Sequence, residues 1–282
     1  KNHFNNALQD YNIKINDLKT EISYFGFRLW HFLSSKRKLL SKNSIEKFDL
    51  IIDLQSKLRN TLILKQIPNR HFYSSTLNFK FCSTHKDYIS TKYDNNNIIL
   101  NLEKLLNDKI VFRKYDTDLI DNKYFTEAKR LLPDRNYIGF SITQGNAYRK
   151  KSWPIKKFLS VANQILKQNK IPVFFIERNN IDLINKIKNE IQNVLIPELE
   201  SNLSGPPLVT ALSKRLEKAI SIDNGIMHMI GLANIPMTVL FGPTNSKKFS
   251  PKIKNINILD SKILYNSDEI SKIKEEDVLN LI

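Results

Sequence analysis

Cysteine is almost absent from the chain. Cys82 is the single one in 282 residues, which excludes an intrachain disulfide and any cysteine cluster for zinc or iron–sulfur chemistry. A reducing, cytoplasmic setting is therefore the expectation. Glycine is scarce too: of seven, only Gly26 precedes residue 133, so the N-terminal part carries no glycine-rich loop, and no Gly-Asp dipeptide occurs anywhere. No apolar run approaches the roughly 20 residues that span a bilayer. The start also lacks the basic, apolar, small-residue succession of a signal peptide. Methionine is confined to Met227, Met229 and Met237, and the first residue is Lys1, so further natural sequence upstream is expected.

Acidic residues are in deficit, 28 against 44 basic ones, for a formal charge of +16. Such a balance favours an anionic partner: nucleic acid, a phosphorylated glycolipid or an anionic membrane surface. The excess is spread from Lys1 to Lys274 among many Asn and Ile residues, as AT-rich coding DNA alone produces. Nucleic-acid binding would instead require clustered cations with interleaved aromatics and a recognition motif, which are not found. Hydrophobic residues at 41% and aromatics at 10% supply cores for one large or two medium α/β domains, and two are expected.

Phe4, Leu8, Tyr11, Ile15, Leu18 and Ile22 recur at spacings of four and three, the helical period. A second basic helix is expected over Phe27 to Leu40, where Trp30, Phe32 and Leu33 stand beside Lys36, Arg37 and Lys38. That face fits either a membrane surface or packing on a sheet. Phe48 to Leu54 reads as a strand buried on both faces, Leu58 to Leu64 as a helix ended by Pro68, and Ile98 to Leu106 and Phe125 to Leu132 as further helices. The turn Pro133-Asp134-Arg135-Asn136 sets an expected boundary between domains 1–132 and 133–282. Beyond it, strands at Tyr137–Ile142, Ile171–Ile176, Ala219–Ile222 and Met237–Phe241 are interleaved with helices at Ile155–Lys167, Ile181–Ile191, Leu208–Leu216 and Ile226–Ala233. This alternation implies parallel βαβ units, whose ligands bind at the carboxyl ends of the strands.

Three segments at such ends hold residues suited to an anion. Ser141 to Pro154 contains Gly145, Asn146 and the cations Arg149, Lys150 and Lys151, which suit a phosphate, although a solvated basic loop reads the same. In Asp223-Asn224-Gly225-Ile226-Met227-His228 a strand hands over to a helix, whose N-terminal N–H groups beside a glycine suit a diphosphate. The alternative there is that Asp223 or Asn224 caps the helix and His228 packs in the core. In Phe241-Gly242-Pro243-Thr244 a strand ends at a glycine turn that would let a ligand approach the backbone.

The ordered set Lys151-Ser-Trp-Pro154, Asp223-Asn-Gly-Ile-Met-His228 and Phe241-Gly-Pro-Thr244 resembles glycosyltransferase family 9, the lipopolysaccharide heptosyltransferases. The family pattern is Lys-x-Trp-Pro, Asp-[Ser/Thr]-Gly-x-x-His and Phe-Gly-Pro-Thr. Leu203-Ser-Gly205 is also similar, and Phe48 to Gln55 loosely so. The resemblance implies an α/β fold of GT-B type, with two Rossmann-like domains whose parallel sheets face a cleft, the N-terminal one lacking its first strand and loop here. It implies metal-independent transfer from a nucleotide-diphosphate sugar, ADP-heptose for the best-known members, to a glycolipid acceptor at the inner membrane surface. A monomer with no bound cofactor is expected.

By the same resemblance Lys151 neutralises donor phosphate, the backbone of Asn224 and Gly225 holds the diphosphate, and Asp223 and His228 contact the sugar. Gly145, Asn146, Gly242 and Thr244 complete the donor site, and an acidic residue, Asp182 or its competitor Glu177, meets the ribose. Two features depart from the pattern. Asn224 stands where the family has Ser or Thr, and the Gly-Asp loop that supplies its acceptor-activating aspartate is missing, so no catalytic base is named. A sugar-nucleotide-binding protein without turnover is the alternative that this absence raises.

Overall fold

A computed structural model describes residues 48–65, 67–83, 101–102, 116–134, 136–145, 148 and 150–282. The helices expected over Phe4–Ile22 and Phe27–Leu40, and most of Ile98–Leu106, lie outside them. The described residues fall into two compact units, 48–102 and 116–282.

In the first unit, strands β1 (Phe48–Asp53) and β2 (Asn69–Ser74) pair in parallel, joined through helix α1 (Leu58–Leu64). Strand β2 was not expected from sequence. Its first residues, Asn69, Arg70 and His71, are polar and hide the Phe72-Tyr73 pair that anchors it.

The second unit opens with α2 (Asn122–Leu131), whose Tyr124 and Ala128 join the same core as Leu208, Leu212 and Val239. The break between units thus precedes a helix that sequence reading assigned to the N-terminal domain. Arg215 fixes the segment after α2 by donating to the carbonyls of Leu132 (2.9 Å), Pro133 (2.6 Å) and Asp134 (3.1 Å). The chain then runs β3 (Tyr137–Ser141), α3 (Ile155–Lys167), β4 (Ile171–Phe174), α4 (Ile181–Glu190), α5 (Pro206–Ser213), β5 (Lys218–Ile222), α6 (Gly225–Leu232) and β6 (Met237–Phe241). It ends with α7 (Ser246–Phe249), β7 (Ile256–Asp260), α8 (Ser261–Tyr265) and α9 (Glu275–Leu279).

The five strands form one parallel sheet in the order β4-β3-β5-β6-β7. Every residue of β3 and β6 is buried, as expected when helices cover both faces of a parallel sheet. Side chains alternate between two cores. Ile138, Phe140, Ile220, Ile222 and Leu240 meet α3, α4 and the C-terminal Ile273 and Val278. Tyr137, Ala219, Met237, Val239 and Phe241 meet α2, α5 and α6. A period of two along each strand dictates this division.

The order also locates the site. From β3 the chain crosses to β4 on one side and later returns to β5 on the other, so the loops leaving β3 and β5 diverge. In open α/β sheets the crevice at such a switch point is where ligands bind. The register aligns Ser141 with Ser221 and Ile222 with Leu240. The three loops singled out from sequence therefore emerge at one edge.

Candidate functional site

Lys151 and Asp223 form a salt bridge at the center of this edge, with side chains only 11% and 8% exposed. Two elements bring them together. The loop after β3 folds back so that the Lys151 N–H donates to Gln144 Oε1 at 2.8 Å, with Lys150 in the left-handed region (φ 48°). Trp153 anchors the far end: its indole N–H donates to the Ile273 carbonyl at 3.0 Å, and its ring meets Phe158 edge-on at 4.8 Å. Pro154 then leads into α3 as its N-cap. The Trp-Pro pair is thus structural and fixes where Lys151 points.

Asn224 does two jobs. Its Oδ1 accepts from Met227 N–H at 2.8 Å, capping α6. Its Nδ2 donates to Ser141 Oγ at 2.7 Å and to the Thr143 carbonyl at 2.9 Å, strapping the β3 loop to the helix end. The side chain is therefore fully used within the protein. Gly225, the first residue of α6, and Gly145 both line the crevice, and a Cβ built on either would meet nothing within 4 Å. The backbone is open to a ligand at both positions.

These residues line a crevice of about 650 Å³: Gln144, Gly145, Lys151, Asp223, Gly225 and His228, closed by Pro243, Thr244 and Phe249. His228 faces it from the first turn of α6, not the core. Partial loss of hydration pushes its pKa below the ordinary 6.5; Asp223 opposes that shift and Lys151 adds to it. Neutral imidazole, able to donate or accept, is the form present at neutral pH. The Thr244 hydroxyl is buried with no hydrogen-bond partner among the described residues.

A second cavity of about 560 Å³ shares Gln144, Gly145, Asn224 and Gly225 with the first and extends to Glu177 and Asn180. The two are continuous through these shared residues and together reach from the Lys151–Asp223 pair to Glu177.

Two sequence expectations are corrected. Gly242 does not line the crevice; it is buried, and a Cβ there would meet Ile270 Cβ at 2.8 Å and the backbone of Asp268 and Ile270 at 3.0 Å. Its glycine admits the C-terminal segment, not a ligand. Asp182 lies exposed in the first turn of α4, away from the groove, whereas Glu177 lines it. Asn146 and Arg149 lie outside the described residues. In the first unit Asp53 is buried at the end of β1. Its carboxylate accepts from Gln55 N–H (3.1 Å), Ser56 N–H (3.1 Å), Thr61 Oγ1 (2.6 Å) and Ser74 Oγ (3.0 Å), so it ties the loop after β1 to α1 and β2.

Two units built on parallel sheets, with a groove at the switch point of the second, define an α/β protein of GT-B type, a glycosyltransferase class. The chain belongs to glycosyltransferase family 9, the heptosyltransferase family, whose model matches residues 36–279. Its structure is similar to that of a family 9 glycosyl transferase from Veillonella parvula (19% identity over 87% of this chain and 76% of that one, TM-score 0.60). It is also similar to E. coli heptosyltransferase WaaC with ADP (14%, covering 89% and 79%, TM-score 0.59) and to E. coli ADP-heptose LPS heptosyltransferase II (15%, covering 89% and 80%, TM-score 0.53). At these identities the likeness establishes the fold. Comparison with curated protein sequences found no match.

Proposed function

We propose that the chain transfers a heptose-like sugar from a nucleotide-diphosphate donor to a lipopolysaccharide core or related glycolipid, without a metal ion. The observation that carries this reading is the convergence of Lys151, Asp223, the open N-terminus of α6 and His228 on one crevice. Similar folds with ADP and with ADP-2-deoxy-2-fluoro heptose support it, as does family membership.

Glycosyl transfer builds positive charge at the anomeric carbon while negative charge gathers on the leaving diphosphate. In this proposal the diphosphate lies against the N–H groups of Gly225 and Ile226, where the dipole of α6 favors an anion, and Lys151 supplies the full charge. Asp223 holds the Lys151 ammonium in place and reaches the sugar together with His228, while Thr244 offers a further hydroxyl. Glu177, at the far end of the groove, accepts from the ribose. Fixed donors of this kind stabilise a developing oxyanion without reorganisation. The first unit takes the acceptor, and the protein works as a monomer at the cytoplasmic face of the membrane.

Incubation with ADP-heptose and a heptose-deficient lipopolysaccharide acceptor in excess EDTA tests the reading. Growth of the acceptor by one heptose is expected. Donor binding without any transfer would instead support the second reading, a sugar-nucleotide-binding protein without turnover, which the engaged carboxylate of Asp53 motivates.

A further inference from the structure

The stretch from Thr244 to Leu264, which includes the outer strand β7, holds five exposed lysines: Lys247, Lys248, Lys252, Lys254 and Lys262. Its single acidic residue, Asp260, is buried and accepts from the Lys262 N–H at the start of α8 (2.9 Å). The stretch therefore shows solvent no negative charge of its own. Large apolar side chains stand among the lysines: Phe249 and Ile258 are each 40% exposed, Leu264 47% and Ile263 73%.

Contacts hold these pieces side by side. Lys252 donates through Nζ to the Lys247 carbonyl at 3.0 Å, which folds the segment after α7 back on that helix. Lys262 donates to the Pro243 carbonyl at 3.0 Å, which sets α8 beside the loop entering α7. A Cβ on Gly231 would meet Pro251 at 2.9 Å, so the end of α6, with Leu232 exposed, adjoins the same segment. Asp268 pairs with Lys262 at 3.0 Å and marks the border of the face. The other four lysines have no carboxylate partner among the described residues.

We propose that this face docks on an anionic lipid bilayer, with Ile263 and Leu264 entering the headgroup layer and the lysines meeting lipid phosphates. The inference rests on the membrane location proposed above and names the surface that makes the contact; sugar transfer plays no part in it.

Charge and apolar exposure together select this occupant. Lysines beside an edge strand deter strand pairing, but that role gains nothing from leaving Ile263 and Leu264 in water, where burial would recover free energy. A second copy would cover the aliphatic groups while bringing two sets of lysines together with no carboxylate between them. Nucleic acid would match the charge and leave the aliphatic groups wet. A bilayer surface takes both, with phosphates for the lysines and an acyl boundary beneath for the apolar side chains. Phe249 belongs to this face and to the crevice wall, so docking brings the crevice next to lipid.

Vesicle co-sedimentation of the full chain, without sugar nucleotide, tests the assignment, using phosphatidylcholine alone and phosphatidylcholine with one-third phosphatidylglycerol. The wild type should bind the anionic vesicles, more weakly in high salt, and ignore the neutral ones. At about fivefold in partitioning per lysine, Lys252→Glu/Lys254→Glu should lower binding at least about 25-fold. Ile263→Ser/Leu264→Ser should lower it roughly tenfold. Lys186→Glu/Lys188→Glu makes the same charge change on α4, which follows β4 at the opposite edge of the sheet. That edge is roughly 19 Å away at about 4.8 Å between strands, beyond a Debye length of about 8 Å, so the change should be under about threefold. Equal losses in the two glutamate variants, unchanged binding by the serine variant, or no binding to anionic vesicles would overturn the assignment. A dimer that the serine variant abolishes, without vesicle binding, would give the face to a second copy instead. Titration of the same proteins with ADP-, UDP-, GDP- and CDP-linked sugars keeps the two readings apart, since none of the substituted residues lines the crevice. Failure of the vesicle pattern with donor binding intact removes this inference alone; absence of donor binding with the vesicle pattern intact removes the donor reading alone.

Discussion

Asn224 and Ser141, 83 positions apart in sequence, are joined side chain to side chain at 2.7 Å across the topological switch point. The same amide caps α6 and holds the Thr143 carbonyl, so one side chain ties the β3 loop to the start of α6. Asn224→Ala should lower stability by about 1–2 kcal/mol from the cap alone and weaken donor binding as the β3 loop is released. Asn224→Ser, the family-like residue, should recover the cap and most of the stability but not the strap. Thermal unfolding and donor titration of both variants separate the two roles; equal donor affinity in all three proteins would show that the strap does not shape the site.

The Lys151–Asp223 pair is nearly buried, which changes what its variants report. Lys151→Ala should weaken donor binding by roughly 1.5–3 kcal/mol through loss of a charge-assisted contact. Asp223→Ala leaves an almost buried ammonium without a partner and should be the more destabilising change, by about 3–5 kcal/mol. The apolar double variant Lys151→Met/Asp223→Leu should regain stability without regaining donor binding. Urea unfolding measures the first effect and calorimetry the second; a double variant that binds donor normally would remove the pair from the site.

His228 reports the same cluster by titration. Its pKa lies below the ordinary value, with Asp223 raising it and Lys151 lowering it. Lys151→Ala should therefore move the imidazole midpoint up and Asp223→Asn should move it down, as read by NMR. The sign for stability follows: the unfolded chain binds this proton more readily, so acidification through pH 6.5 should cost stability, and the loss should level off below the folded pKa. A His228 midpoint unmoved by either variant would place the ring outside the cluster.

Two glycines of similar appearance in sequence should behave differently. Gly242→Ala drives a methyl into the backbone of Asp268 and Ile270 and should destabilise by about 1–3 kcal/mol. Gly225→Ala has open space for its methyl, should fold normally, and should obstruct a ligand at the α6 N-terminus. Melting curves and donor titrations of the two variants should therefore show opposite patterns.

The β–α alternation was legible because its central strands are continuous apolar runs and its helices carry a clear period. Strand β2 was not, because its polar start masks a two-residue anchor; β7 was not, because at the sheet edge Ile256 and Asn257 are only partly buried and Ile258 is exposed. The crevice was legible as three loops at strand ends. What sequence could not show was which glycine faces a ligand and which faces packed backbone, since Gly225 and Gly242 differ only in neighbors more than 25 residues distant or absent. The start of α4 at Ile181 was legible, but not which of the two flanking carboxyls, Glu177 or Asp182, lines the groove.

The central claim is that the groove along β3, β5 and β6 holds a nucleotide-diphosphate sugar with Lys151 on its phosphates. Calorimetric titration with ADP-, UDP-, GDP- and CDP-linked sugars, repeated with Lys151→Ala, tests it most directly. Selective binding of one donor, weakened by the substitution, is the expected result; a folded wild type that binds none of the four, or binds equally well without Lys151, would contradict it.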